Sequence, residues 1–309
     1  MLNVIPLVLS TDNYGSKYLD VTLLSILTNA DKTTFYDIYI LTPKNFSKKA
    51  KLKLEFDTQS FRNNKIHFIN MNNCFSNAKM LQKHITYPCL FRLKTDLVVP
   101  KTYDKCIYLD TDTIIQTDLQ ELFKIDIDDY YIAGVFDIGI TLKRFKYIHP
   151  KYNNALNIPD LSTYINSGVL LINLKKIRMD NISKQFINES RKNYFFADQD
   201  VLNKVCYGKI KLLPPKFNSI TMYNKIINKS NEFRNIYTKK EIAESIKSPK
   251  IIHYAGGHKK PWQNLNSSFS AIWWKYAIGK SSFINEIIKS IKGPRKKIAN
   301  SLIKIIHDF

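Results

Sequence analysis

The stretch Lys105-Cys-Ile-Tyr-Leu-Asp-Thr-Asp-Thr-Ile-Ile115 constrains this chain more than any other. Apolar residues run up to Asp110, a second carboxylate follows at Asp112, and β-branched residues come after. A short apolar run between polar flanks reads as a buried strand. Two carboxylates one residue apart at its carboxyl end stand at the rim of a sheet, where open α/β folds bind ligands. Paired hard oxygens there suit a divalent cation that in turn holds phosphate oxygens.

The remaining pattern supplies a frame for that rim. Residues 4–10, 35–42 and 65–70 read as strands, and residues 18–29 carry Leu19, Leu23, Leu24, Ile26 and Leu27 at helical spacing. Lysine-rich residues 47–61 read as a second helix, capped by Ser47. Alternating strands and helices open a nucleotide-binding α/β sheet. No G-x-G-x-x-G or Walker lysine loop is present, so a nucleotide must be held by other groups. Residues 89–97 predict a helix carrying Arg92, 118–122 a helical turn, and 130–137 a strand ending in Asp137. Residues 143–162, basic and broken by Pro150 and Pro159, read as a long functional loop. A strand over 164–173 carries Asn166 and Gly168 ahead of its apolar half, and 175–193 reads as a helix. Asp198, Gln199 and Asp200 open another helix, where acids complement the dipole. The last strand ends at His253, before Gly256-Gly257.

At 309 residues, with 44% apolar and 13% aromatic side chains, the chain can bury a full core. One large α/β domain over residues 1–275 with a tail over 276–309 is the expected division. The net charge of +21 favours acidic partners: nucleic acid, anionic lipid or phosphorylated substrates. No aromatic-basic RNA motif or recognition-helix signature is present, so no nucleic-acid partner is expected. Cys74, Cys89, Cys106 and Cys206 form no CxxC pair, which points away from structural zinc and disulfides and toward a reducing cytoplasm. No run reaches the roughly 18 apolar residues of a membrane span. From Phe283 onward, isoleucines at 284, 287, 288, 291, 298 and 305 fall between Lys289, Lys292, Arg295, Lys296, Lys297 and Lys304. Gly293-Pro294 divides this stretch into two short amphipathic basic helices, a composition that suits anionic lipid on the inner face of the plasma membrane. Trp273-Trp274 and Tyr276 read as packing or interface contact.

The acidic pair alone also fits a solvated turn. Asp-Thr-Asp-Thr after an apolar strand fits a haloacid-dehalogenase-like phosphatase too, with Asp110 as nucleophile and Asp112 as general acid. That motif belongs on a domain's opening strand, whereas three predicted strands precede it here. His253-Tyr-Ala-Gly-Gly-His-Lys-Lys-Pro-Trp262 shifts the balance. An imidazole followed by glycines and lysines makes, with two carboxylates, a manganese or magnesium site with positions open to diphosphate oxygens.

Seven segments then fall into a known order. They are Ser10-Thr-Asp12, His84-Ile-Thr with Phe91-Arg92-Leu, Tyr108-Leu-Asp-Thr-Asp112, Phe136-Asp137, Tyr164-Ile-Asn-Ser-Gly-Val-Leu-Leu-Ile-Asn-Leu-Lys-Lys176, Asp198-Gln-Asp200 and His253-Tyr-Ala-Gly with Lys-Pro-Trp262. Over residues 3–275 this set resembles glycosyltransferase family 8, close to bacterial lipopolysaccharide galactosyl- and glucosyltransferases. The resemblance implies a GT-A fold, a Rossmann-like mixed α/β sheet flanked by helices. It also implies retaining transfer of galactose or glucose from a UDP-sugar to a saccharide or lipid-linked glycan such as lipopolysaccharide core. Asp110, Asp112 and His253 would bind Mn2+ or Mg2+, which binds the UDP diphosphate. Lys260 or Lys259 would meet the diphosphate, because the glycine-to-lysine spacing is one residue longer than the family's. Asp12, with Asn13 beside it, matches the uracil contact, and Thr111 and Gly256 lie inside the donor-binding motifs. Arg92, Asp137, Asn166, Asp198 and Gln199 match residues around the donor sugar, and His84 a position near the acceptor. Tyr14-Gly15 stand where the family often has Asn-Tyr. An amide oxygen is a weak nucleophile, so Gln199 favours same-face attack over a covalent intermediate. Thr111 and Thr113 read as spacers within the acidic motif.

Overall fold

The computed structural model describes residues 2–72, 74–76, 78, 81–82, 86–142, 152, 156–256, 260–278 and 280–289. The three opening apolar runs form β1 (Asn3–Ser10), β2 (Thr34–Thr42) and β3 (Asn64–Asn70), which pair in parallel. Between them lie helix α1 (Ser16–Thr28), whose Leu19, Leu23 and Ile26 are fully buried, and helix α2 (Lys48–Thr58), whose Ala50 amide donates to the capping Ser47 hydroxyl. β4 (Lys105–Leu109) lies beside β1 in the same direction. The sheet then turns mixed. β7 (Val169–Asn173) runs antiparallel to β4, β6 (Ile132–Gly134) antiparallel to β7, and β8 (Ile210–Leu212) parallel to β6. The seven-stranded order is β3-β2-β1-β4-β7-β6-β8.

Each face of this sheet is covered. On one side α1, α2 and the helix Ser270–Ala277 pack over Leu7, Leu9 and Leu109; on the other, the 3-10 segment Tyr87–Lys94 and the helix Asp198–Val205 cover Val8, Tyr108 and Leu170. Strands buried on both faces read as continuous apolar runs, which is why the runs alone located them.

The acidic stretch is not one strand. β4 stops at Leu109, a turn carries 110–112, and β5 (Thr113–Ile115) leaves for a second sheet of three strands, with β10 (Ile251–His253) between it and β9 (Ser219–Ile220). Both halves are equally buried, so hydropathy could not separate them. The Thr113 hydroxyl donates to the Asp110 carbonyl at 2.8 Å, and Thr22 Oγ1 of α1 lies 2.9 Å from the carbonyl oxygens of Thr111 and of Thr113. Thr113 is thus the clasp of the turn and not a spacer.

Other expectations are refined. The helix expected over 175–193 divides into Leu174–Met179 and Ile182–Glu189 at Asn181, which takes a left-handed φ of 53° that asparagine tolerates better than most residues. The expected loop 143–162 lies largely outside the described residues. The helix Ser270–Ala277 crosses the boundary expected at 275, with Trp273 and Tyr276 packed in the core. Beyond it, Phe283, Ile287 and Ile288 are buried, the Ser282 amide donates to Asp57 Oδ2 at 2.7 Å, and Lys53 pairs with Glu286 at 2.7 Å. The apolar residues 283–288 therefore pack inward, against the domain, and not toward a membrane. Among the described residues no helix is long and apolar enough to cross a membrane.

Candidate metal and donor site

The carboxyl end of β4 and the end of β10 meet at the rim. β10 pairs with β5 so that His253 lies opposite Thr113, and the Tyr254 amide donates to the Asp112 carbonyl at 2.9 Å. His253 Nε2 therefore stands 3.2 Å from Asp112 Oδ1 and 3.7 Å from Asp110 Oδ2. One ligand atom from each of the three residues lies within 4.8 Å of the others. The remaining oxygen of each carboxylate is held by a cation: Asp110 Oδ1 by Arg92 Nη2 at 2.7 Å, and Asp112 Oδ2 by Lys260 Nζ. Burial would raise the Asp112 carboxyl, but Lys260 and His253 outweigh it and hold it well below the usual carboxylate range. Two carboxylate oxygens and one imidazole nitrogen facing a common point form a donor set that fits manganese or magnesium.

Gly168 makes that approach possible. A Cβ on it would fall 2.8 Å from Asp110 Oδ2 and 2.8 Å from His253 Nδ1, closer than atoms pack. Its carbonyl accepts from the Asp110 amide at 2.8 Å, so the same residue fixes Asp110 and leaves space for the imidazole.

The side chains expected around a donor sugar converge into one buried network. Gln199 Oε1 accepts from the Ser167 amide and from Asn166 Nδ2, each at 3.1 Å, while its Nε2 donates to Asp137 Oδ2 at 3.0 Å. Asn166 Nδ2 also lies 3.2 Å from Asp137 Oδ2. Arg92, 5% exposed, is no surface ion pair: its Nε is 3.1 Å from Asp198 Oδ2 and 2.9 Å from the Cys89 carbonyl, and its Nη1 donates to the Ser167 carbonyl. Burial would lower the guanidinium's pKa, but Asp110 and Asp198 raise it further. Burial raises the Asp198 carboxyl, opposed by Arg92. Asp198 and Gln199 reach the cleft because Ala197, just before their helix, adopts a positive φ of 44°. Such a residue is sparsely populated and persists where surroundings over-determine it. Asp200 faces away into the core, accepting from Tyr164 at 2.5 Å, from Tyr152, and from the Phe196 amide at 2.8 Å.

These groups line one open cleft of about 770 Å³. It also holds Asp12, Tyr14, Thr111, Gly256 and Lys260, so the two ends proposed for a nucleotide and a sugar belong to one space. Asp12 accepts from the Gly15 amide at 2.8 Å and from the Thr86 hydroxyl at 3.3 Å. Asn13 departs from expectation. Its side chain turns to the neighbouring loop, accepting from the Ser47 amide at 2.7 Å and donating to the Asn45 carbonyl at 3.0 Å, outside the cleft lining. His84 and Lys259 lie outside the described residues. Sequence reasoning missed Ser167, whose hydroxyl donates to Asp198 at 2.9 Å, and Asn218, which bonds His253 from 35 positions away. Ser167 had a signal in its place between Asn166 and Gly168; Asn218 had none.

The family model of glycosyl transferase family 8 matches residues 6–266. A Haemophilus influenzae protein with a provisional glycosyltransferase name is 32% identical over 267 residues, covering 82% of this chain and 72% of its own. The lipopolysaccharide 1,2-glucosyltransferase of Escherichia coli K12 is 28% identical over 207 residues, 65% of this chain and 57% of that enzyme. The crystal structure of the galactosyltransferase LgtC with donor and acceptor sugar analogues superposes with a TM-score of 0.75 at 21% identity, covering 93% of this chain and all of that one. The fold is therefore of GT-A type, and the haloacid-dehalogenase reading is set aside. From the paired aspartates to the histidine on the last strand, the cleft lies within the matched region, and the chain belongs to glycosyltransferase family 8.

Proposed function

We propose that this glycosyltransferase is a metal-dependent, retaining hexosyltransferase that moves galactose or glucose from a UDP-sugar to a saccharide acceptor, lipopolysaccharide core or another surface glycan. The observation that carries this reading is the convergence of Asp110, Asp112 and His253 at one end of a cleft whose other end holds Asp137, Asn166, Asp198 and Gln199. When bound, Mn2+ or Mg2+ would neutralise charge on the diphosphate. Asp110, Asp112 and His253 are the residues that would hold it. Lys260 contacts Asp112 and lines the cleft, which supports a role on the diphosphate oxygens, and Asp12 lines the same cleft, which supports its role as the uracil contact.

Asp137, Asn166 and Asp198 offer acceptors and donors for sugar hydroxyls on a rigid, mutually bonded frame. Gln199 is poorly suited to attack the anomeric carbon. Its oxygen already accepts two hydrogen bonds, and an amide oxygen carries little negative charge. Same-face attack by the acceptor hydroxyl, with its proton passing to the departing phosphate oxygen, is the chemistry we assign. The E. coli relative's name supports a lipopolysaccharide acceptor, and the family resemblance assigns His84 a position near such an acceptor. The basic-apolar sequence beyond residue 289 supports peripheral contact with anionic lipid on the cytoplasmic face of the inner membrane.

The test is hydrolysis of UDP-galactose and UDP-glucose with and without Mn2+. Metal-dependent turnover of one donor is expected, falling at least about 100-fold in Asp110→Asn and Asp112→Asn while circular dichroism stays unchanged. Near-normal turnover in either variant, or a glycosyl adduct trapped on Asp198, contradicts the assignment.

A further inference from the structure

Asn218 bonds one residue from each end of the site, Asn166 and His253, and its surroundings settle which amide atom is which. The Gly168 amide, a donor only, lies 3.0 Å from the Asn166 side-chain oxygen, while the Asn166 nitrogen faces the Asp137 carboxylate. The Asn218 atom 3.0 Å from that Asn166 oxygen must then be the NH2 group. That leaves the Asn218 oxygen 2.9 Å from His253 Nδ1. An oxygen acceptor at that distance requires hydrogen on Nδ1, so when the ring is neutral, as a metal ligand must be, its lone pair sits on Nε2, the nitrogen facing Asp110 and Asp112. Backbone pairing enforces the contact: β9 begins one residue after Asn218 and pairs with β10, which carries His253. Asn218 is 3% exposed and His253 2%, so water does not compete for either group.

We infer that Asn218 is a positioning residue that holds His253 in the Nδ1–H tautomer, presents Nε2 as a ligand, and ties that ligand to the donor-sugar frame through Asn166. The inference rests on the metal-dependent reading above. Partners of this kind orient metal-binding imidazoles and raise their basicity, and removing them lowers metal affinity about 10–100-fold. Here the partner has a second connection, because the amide that accepts from His253 also donates to Asn166, which is itself bonded to Gln199 and Asp137.

Two near-isosteric variants separate the two connections. Asn218→Asp keeps an acceptor for the imidazole but cannot donate to Asn166, and Asn218→Leu removes both bonds. Mn2+ affinity is read from the electron paramagnetic resonance of free Mn2+, donor hydrolysis is measured at saturating Mn2+, and long-range 1H–15N correlation in the metal-free protein, at a pH alkaline enough that the ring is neutral, reports the His253 tautomer. The wild type should show Nδ1–H. Asn218→Asp should bind Mn2+ within about threefold of wild type yet hydrolyse donor about 10-fold more slowly, and Asn218→Leu should lose about 10–100-fold in Mn2+ affinity. An Nε2–H tautomer in the wild type overturns the inference, as does equal loss of Mn2+ affinity in both variants or none in Asn218→Leu. The wild-type tautomer and Asn218→Asp decide the matter even if Asn218→Leu does not fold. Absence of saturable Mn2+ binding by the wild type, with or without UDP, overturns the metal-dependent reading and this inference with it.

Discussion

One methyl group tests the site. Gly168→Ala would place a Cβ 2.8 Å from both Asp110 Oδ2 and His253 Nδ1, whereas unbonded atoms settle at about 3.5–4.0 Å. His253, whose Cε1 lies nearest the added methyl, must retreat by more than about 1 Å and Asp110 by about 0.7 Å, and metal sites hold their ligand distances to about 0.2 Å. Neither is free to move without loss. Asp110 is fixed by Arg92, and His253 is held by Asn218 and packed in the interior. We expect Mn2+ affinity to fall about 100-fold, equivalent to about 2.7 kcal/mol. Overpacking should also lower folding stability by about 1–3 kcal/mol. Gly208→Ala is the control. Gly208 has a φ of +76°, and an added methyl there would meet nothing within 4 Å. Alanine at that position therefore costs about 1–2 kcal/mol through the backbone alone and should leave the metal site intact. The assay is Mn2+ titration by electron paramagnetic resonance, alongside urea denaturation of each variant. A Gly168→Ala protein that folds and binds Mn2+ within about threefold of wild type refutes the claim that the imidazole needs this space.

Three other perturbations act on separate parts of the molecule. Arg92→Met removes the cation buried between Asp110 and Asp198 and should destabilise by about 3–5 kcal/mol in urea melts, because two carboxylates lose their shared partner; a loss below about 1 kcal/mol contradicts that role. Burial raises the Asp200 carboxyl to about 6, only partly offset by the Tyr152 and Tyr164 hydroxyls. The folded state therefore binds the proton more tightly than the unfolded chain, whose value is about 3.9, and stability should decline by about 3 kcal/mol as pH rises from about 4 to 6, then level off. Asp200→Asn should flatten that decline in denaturation curves taken across the interval, and an unchanged slope would assign it to other groups. Truncation after residue 289 should leave the melting temperature within about 2 °C. Truncation before Phe283 should lower it by about 10 °C or more, since it removes three buried apolar side chains, each contributing about 1.5–3 kcal/mol. In flotation assays with anionic vesicles, the first truncation should release the protein if the segment beyond 289 holds it there.

Much of the cleft was legible because its chemistry is local. Asp110 and Asp112 share one turn, Asp198 and Gln199 share one helix start, and Asn166 precedes an apolar strand. Each motif advertises itself within a few positions. Residues 283–288 misled because periodicity reports that a stretch has an apolar face and not what covers it. Phe283, Ile287 and Ile288 carry the spacing of an interfacial helix, yet they are buried where their segment meets α1 and α2. Asn13 misled for a related reason. It adjoins Asp12 in sequence, but adjacent residues in a loop point different ways, and its hydrogen bonds go to Asn45 and Ser47.

By itself the sequence determined the alternating α/β frame, the rim carboxylates and most of the residues that line the cleft, since hydrophobic periodicity and short motifs depend on neighbours along the chain. Only the tertiary structure decided that 105–115 divides between two sheets and that Gly168 clears space for His253. It alone joined Asn218 to an imidazole 35 residues away. Those features depend on strand pairing and close approach between distant segments, and such contacts leave no period in the chain that makes them.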